Sequence, residues 1–482
     1  MTGTAGQTAP RLLRRHRIGI VGAGPAGVHL AHLLKQRGFD RVTVLERDTR
    51  VGGKSLSVVH DGTVFEMGAC YVPSNYDEYR RLLARYDAGR VVSPPALARD
   101  VVTAAFSGSL TTYSLDAWIG HLTDRLIRSG TLRPGGAVRR LIDALGAVRR
   151  LVAERNRLLG RGYYPLSDRP TPGALRELAA PFGELMERCR LQILEPFFRL
   201  ATSAQGYGVL ETSPSFYPLL WNERRFVMSF ILTRLGLTRR PIVSAVDRGS
   251  QSLFTSIAAR DQLDIRLGCE VVSIERPGGG RPVAVTLRTE NGAAEERFDQ
   301  IILSGDLRGS LGYLAQPNDD EQRIFGRFLH SSFVTTLFKA SRWPATAYAL
   351  NVADALTPNP TLSVSGVRER RFLAPAANTG PALGVAYQFR QDAHDPAVLA
   401  DLDQRFAPEM RQLGFADLSI VQRCRWAYCP HFPAAAVAEG LPWDIFAMQG
   451  RHDTWYAGSS ASFESLNDVM KYNVLLLRHY AE

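Results

Sequence analysis

The residues Gly22-Ala23-Gly24-Pro25-Ala26-Gly27 place three glycines in the G-x-G-x-x-G spacing that receives a dinucleotide pyrophosphate. The first glycine permits a tight turn and the second lets the backbone approach the phosphates. The third lets helix and strand pack closely, and the helix N-terminus faces the phosphate charge. Glu46 stands where a carboxylate accepts from adenosine ribose hydroxyls. Arg47 follows it, then a second glycine pair in Val51-Gly52-Gly53-Lys54, then Phe65-Glu66-Met67-Gly68-Ala69. That second pair lets the chain fold back over a bound dinucleotide. There is no second G-x-G-x-x-G run, so a nicotinamide cofactor has no obvious seat and electrons are expected to come from an organic substrate.

These groups need a βαβ unit to hold them. The pattern predicts a strand over 17–21, a helix over 26–37 and a strand over 42–45. Residues 115–200 read as mostly helical. Val138, Leu141, Ile142, Leu145, Val148, Leu151 and Val152 recur at helical spacing, with Arg139, Arg140, Arg149 and Arg150 between them. That segment is either a packed helix with a charged outer face or an amphipathic helix resting on a membrane. Residues 264–276 and 284–289 read as a hairpin around the glycines 278–280, and 298–303 as a further strand. Residues 331–390 alternate as longer strands of a second sheet. The end reads as a strand over 454–457 and a helix over 467–480.

With 482 residues, two or three domains are expected. Hydrophobic content of 45% and charged content of 22% fit an ordered globular chain. No run of about 18 apolar residues predicts a membrane span. The net charge of +11 is spread along the chain as arginine without a nucleic-acid reader motif, so no nucleic-acid partner is expected. Five scattered cysteines, with no CxxC pair and no metal-ligand spacing, suit a reducing compartment, and a cytoplasmic protein is expected. No metal site is expected.

The ERxxxxGGK…ExGA run resembles the flavin-containing amine oxidase superfamily, which binds FAD. Trp455-Tyr456-Ala457-Gly458, ahead of the last helix, resembles that superfamily's closing FAD motif, although Ser459 stands where an acid is usual. The resemblance implies an α/β fold: a discontinuous Rossmann-type FAD domain, a sheet-based substrate domain and a helical cap. The expected division is a disordered arm over 1–16, the FAD domain over 17–80, 246–310 and 451–482, the sheet domain over 81–115 and 311–450, and the cap over 116–245. FAD would be held non-covalently by Gly22, Ala23, Gly24, Ala26, Gly27, Glu46, Arg47, Gly53, Lys54, Gly68, Ala69, Val271, Gly458, Ser459, Asp468 and Val469.

Within the superfamily the chain is most similar to the bacterial polyenoic fatty acid isomerases. Ala180-Pro181-Phe182, Met228-Ser229-Phe230, Tyr428-x-Pro430-His431 and Met448-Gln449-Gly450-Arg451 carry this likeness. It implies movement of double bonds in a hydrophobic polyunsaturated substrate, of fatty-acid or polyketide type, without net redox change. It also implies a substrate gate at Arg99 and Phe230. An oxidase, desaturase or oxidative cyclase using oxygen is the alternative. The superfamily's lysine near the flavin falls by spacing close to Phe333, where a ring would suit a cationic hydrocarbon. Phe230, Phe333 and Tyr71 are therefore the catalytic candidates; Arg99, Phe230, Trp426 and Tyr428 are the substrate-binding ones. Tyr71 is equally a core residue by pattern, Arg99 alone a surface arginine, and Cys429 a remote candidate for covalent flavin. His431 reads as structural, with proton transfer as the alternative.

Overall fold

In the computed structural model, residues 11–92, 101–106, 109–203, 206–234, 237–238, 243–344, 350–373, 380–391 and 393–482 are described. The short apolar strand Ile18–Val21 is almost wholly buried and lies at the centre of a five-stranded parallel sheet. Its neighbours are Val42–Leu45 on one side and Gln300–Leu303 on the other, with Asp264–Arg266 and Thr454–Tyr456 at the edges. Strands buried on both faces read as continuous apolar runs, as QIIL and TWY do here. The helices Pro25–Gln36 and Leu466–Tyr480 pack together on this sheet.

The 264–276 segment is not one strand. Asp264–Arg266 joins the parallel sheet, while Glu270–Glu275 pairs antiparallel with Val283–Thr289, which pairs with Gly292–Phe298. Gly268, at φ +65°, turns the chain between the two partners. Phe298 accordingly ends a strand of the small sheet, and Gln300 begins the next strand of the large one.

A second sheet has seven strands in the order Ser419–His431, Leu329–Ala340, Ala382–Arg390, Val364–Phe372, Leu350–Val352, Val101–Phe106 and Ser109–Ser114. All pairings are antiparallel except Leu350–Val352 with Val101–Phe106. The segment expected as a cap is rich in helices, among them Ala137–Leu159, Phe182–Arg188, Glu195–Thr202, Phe216–Trp221 and Arg224–Arg234. Phe182, Phe198 and Phe216 are fully buried in its core.

Two expected boundaries shift. The 80/81 division falls inside the helix Asp77–Arg85, whose Tyr79, Leu82 and Leu83 share a core with Ile18 and Ile20. Residues 1–10 of the expected arm lie outside the described residues. Residues 11–16 are not a loose arm: Leu12 is buried, donates its N–H to the Tyr480 carbonyl at 2.8 Å and accepts from Glu482 N–H at 3.0 Å. Burial of one leucine against the last helix fixes this segment. Among the described residues no helix is long and apolar enough to cross a membrane.

Candidate active site

Two glycine loops meet at the end of the central strand. A Cβ on Gly27 would lie 2.0 Å from the Gly22 carbonyl oxygen, so the helix Pro25–Gln36 can begin there only with glycine. Gly53 has φ +49°, and a Cβ on it would lie 2.9 Å from Cα of Gly24. Gly52 N–H donates to the Ala23 carbonyl at 2.9 Å and holds the loops together. Ala26 is buried in the first helical turn. The result is a backbone cradle at a helix N-terminus, which fits a pyrophosphate. Gly68 lies so close to Lys54 that a Cβ would sit 1.8 Å from its carbonyl oxygen, and Ala69 N–H donates to that oxygen at 3.0 Å.

Glu46 is only 7% exposed. One carboxylate oxygen accepts Ala23 N–H at 2.6 Å, the other Asp48 N–H at 2.9 Å. Each oxygen has a further lone pair for a ribose hydroxyl. Cys269 N–H donates to the Glu46 carbonyl at 2.8 Å, which brings the strand carrying Val271 beside this acid. Arg47 points outward, 77% exposed, with its guanidinium 3.9 Å from Asp48.

At the closing motif Gly458 lies against Ser304, whose carbonyl oxygen would be 2.5 Å from an added Cβ. Ser459 opens a short turn there. Ser465 caps the last helix and accepts Asp468 N–H at 3.1 Å, while Val469 N–H donates to the Ser465 carbonyl at 3.0 Å. The backbone donors of Asp468 and Val469 are thus engaged within the helix. Helix geometry leaves Leu466 and Asn467 N–H without an intrahelical acceptor, so these two could donate to a flavin pyrimidine. Asp468 itself is buried and its carboxyl is pushed up to about 6 by desolvation, with Lys471 and Ser465 opposing the rise.

The second sheet supplies an aromatic face. Phe333 has ring-centroid distances of 5.2 Å to Tyr428, 5.8 Å to Tyr387 and 6.3 Å to Phe389. Lys54 Nζ stands 5.1 Å over the Tyr428 ring and 2.7 Å from Glu464. The rings therefore adjoin the glycine loop of the cofactor cradle. Trp426 Nε1–H and Thr335 Oγ–H donate to the same Met67 carbonyl, at 2.8 and 2.7 Å. Trp426 thus anchors the sheet to the flavin stretch. Burial keeps the Tyr428 phenol and the Cys429 thiol protonated well beyond their ordinary ranges, with Glu464 adding to both shifts. His431 Nδ1 lies 2.7 Å from the Cys429 carbonyl oxygen, and its ring is 6.1 Å from both Tyr207 and Tyr217, which stack on each other.

Not every sequence candidate converges here. Arg99 lies outside the described residues. Phe230 packs on Phe197 in the cap, at 4.9 Å between ring centroids, and its neighbour Ser229 bonds Ser74 at 2.9 Å. Tyr71 lies under Arg368, whose guanidinium carbon is 5.0 Å from the ring centre. Sequence reasoning did not single out Tyr387, Phe389, Thr335 or Glu464, which the structure places beside these candidates. The aromatic alternation in 382–390 was the visible signal for the first two.

A family model described as flavin containing amine oxidoreductase matches residues 25–354. The polyenoic fatty acid isomerase of Ptilota filicina is 21% identical over 484 residues, covering 94% of this chain and 92% of that protein. The FAD-dependent oxidoreductase pigF of Monascus ruber is 22% identical over 449 residues, covering 91% and 86%. The crystal structure of the CLA-producing fatty acid isomerase from P. acnes has a TM-score of 0.75 at 23% identity, covering 97% of this chain and 99% of that one. At that identity the likeness shows the fold.

Proposed function

Since the chain belongs to the flavin-containing amine oxidoreductase family and is an FAD-dependent enzyme, we propose that it isomerises double bonds in a hydrophobic, polyunsaturated, acid-bearing substrate of fatty-acid or polyketide type. The observation that carries this reading is the ring cluster of Phe333, Tyr387, Phe389 and Tyr428 beside the cofactor cradle. Bound FAD supplies a hydride acceptor and donor. The rings exclude water and turn π-electron density toward a cationic carbon chain.

Tyr428 and Cys429 hold their protons, and Glu464 is paired with Lys54. The remaining lysines are elsewhere: Lys35 on Asp261 and Gln262 carbonyls, Lys339 exposed, Lys471 on Glu223. Protonated Tyr428 and Cys429 and an ion-paired Glu464 weaken proton removal beside the rings, which supports isomerisation over desaturation. FAD is held without a covalent bond in this reading, because the Cys429 thiol is a poor nucleophile when protonated.

An oxidase or desaturase is the second reading, favoured by the 22% identity to an FAD-dependent oxidoreductase over a similar share of the chain. Anaerobic incubation of the yellow protein with candidate polyenes separates the two. Continued turnover with oxidised flavin supports isomerisation. One hydrogen peroxide per product, with turnover stopping when oxygen is removed, overturns it.

The five cysteines form no disulfide, which supports a cytoplasmic enzyme. Peripheral lipid contact belongs to the same reading. On the helix Ala137–Leu159, Val148 and Leu151 are buried, but Val138 and Ile142 are 73% and 60% exposed, with Leu145 beside them. Exposed Arg139, Arg140 and Arg149 flank that stripe, the pattern of a surface that meets anionic lipid.

A further inference from the structure

We infer that Lys54 and Glu464 form a positioning pair for the flavin: they tie the glycine loop to the start of the last helix, and their opposite charges bias the flavin's reduction in opposite directions. The inference needs bound FAD and not the polyene reading, so each can fail without the other.

Glu464 joins separate parts of the chain. Its Oε2 accepts from Lys54 Nζ at 2.7 Å and from Cys429 N–H at 3.2 Å. Its own N–H donates to the Tyr207 hydroxyl at 2.7 Å. The preceding residue, Phe463, stacks on the Tyr207 ring at 4.2 Å, and the following one, Ser465, caps the helix Leu466–Tyr480. The glycine loop, the strand Ser419–His431, the helix-rich segment and the closing motif therefore converge on one residue. Its side chain is only 11% exposed, so little water competes for the ion pair, and a charge-assisted bond there holds better than one on the open surface.

Lys54 spans the site. It follows Gly53, which packs against Gly24 in the pyrophosphate cradle, and its carbonyl accepts Ala69 N–H at 3.0 Å. Its ammonium ends 5.1 Å over the Tyr428 ring, on the aromatic face. In FAD a single ribityl chain joins pyrophosphate and ring, so a side chain reaching from the cradle to that face runs alongside it. The charge also acts beyond its partner. Burial alone would raise the Asp306 carboxyl, yet His330, with Lys54 and the Gly309 N–H adding, holds it below its ordinary range.

The consequence is electrostatic. Hydride uptake brings two electrons and one proton, so bound flavin gains one negative charge as the donor carbon loses its hydride. A cation beside the flavin favours that state, and an anion opposes it. Two opposite charges held together set the balance, and removing either one tips it.

The test reads the midpoint potential of bound FAD against a reference dye, with FAD affinity measured on the same proteins; no substrate turnover enters it. Lys54→Met keeps the stem and removes the cation. It should lower the reduction equilibrium at least tenfold, about 30 mV for a two-electron couple. Glu464→Gln keeps an acceptor for Cys429 N–H and removes the anion, and it should raise the equilibrium by a similar factor. Lys54→Arg keeps the charge and should stay near wild type. Both single variants should bind FAD more weakly. The double variant should lose less than the product of the two losses, since the second change removes a contact already broken. Potentials that move in the same direction or not at all overturn the inference, as does a double variant that loses the full product. If Lys54→Met retains no FAD, the Glu464→Gln and Lys54→Arg potentials decide by the same signs.

Discussion

Replacing Glu46 with glutamine keeps the shape of the side chain and removes its charge and one acceptor. In the native fold both oxygens accept backbone N–H groups, from Ala23 at 2.6 Å and from Asp48 at 2.9 Å. An amide can satisfy only one of them and turns its NH2 toward the other. Hydrogen bonds to charged groups contribute about 1.5–3 kcal/mol, and a buried donor left unpaired costs about 1–3 kcal/mol. Ala23 is fully buried, so the Ala23 bond dominates the loss of stability. For FAD, the ribose hydroxyls lose a charged acceptor, and a loss of about 1.5–3 kcal/mol weakens binding roughly 10- to 150-fold. Titrating apo-protein with FAD, followed by quenching of flavin fluorescence, gives the affinity. Thermal unfolding of the apo-protein gives the stability cost separately. Wild-type FAD affinity in Glu46→Gln would refute the ribose contact. An unchanged apo melting temperature would refute the claim that the carboxylate holds the glycine loop.

Acid precipitation should release all FAD into the supernatant; flavin left in the pellet would show a covalent bond and point first to Cys429. Asp468→Asn should change stability in a pH-dependent way. The native carboxyl titrates at about 6 and the unfolded one near 3.8, so the unfolded chain loses its proton first as pH rises. Wild type therefore loses up to roughly 3 kcal/mol between pH 4 and 6 that the asparagine variant keeps. Melting curves across that range should diverge upward in pH; parallel curves would show that the burial cost is absent. Val138→Asp with Ile142→Asp should abolish co-sedimentation with phosphatidylserine vesicles and leave turnover of a detergent-dispersed substrate unchanged. Equal vesicle binding by the double variant would remove the lipid contact.

The cofactor cradle was legible because its signals are local. Gly22 to Gly27, Glu46 and Gly53 lie close in sequence to the strand and helix that use them, and Gly27 and Gly53 answer close backbone approaches. The helix start at Ser465 was legible too, since Ser465 and Asp468 have cap spacing, and the Asp468 N–H is engaged by that cap. The aromatic face was only half legible. Phe333 and Tyr428 sit on neighbouring strands far apart in sequence, and Tyr387 and Phe389 join them through a register that no local pattern encodes. The same holds for Lys54 and Glu464, which meet across 410 residues. The 264–276 misreading has the opposite cause: the alternation was real, but the partner changes at Gly268.

The Met67 carbonyl accepts from both Thr335 and Trp426, and this separates frame from lining. The distance between sheet and flavin stretch is set by those two donors, one a short hydroxyl and one a rigid indole. The rings of Phe333 and Tyr387 pack on the same stretch at Phe65 and Met67, but exchange of one ring for another of similar size releases neither hydrogen bond. Such exchanges change the polarity and width of the site while sheet and flavin stretch stay tied together. A change at Thr335 or Trp426 does the reverse: it loosens the sheet from the flavin stretch and moves the rings relative to the reacting atom. Variation in substrate scope is therefore expected to concentrate in the rings, with loss of chemistry concentrated in the two donors.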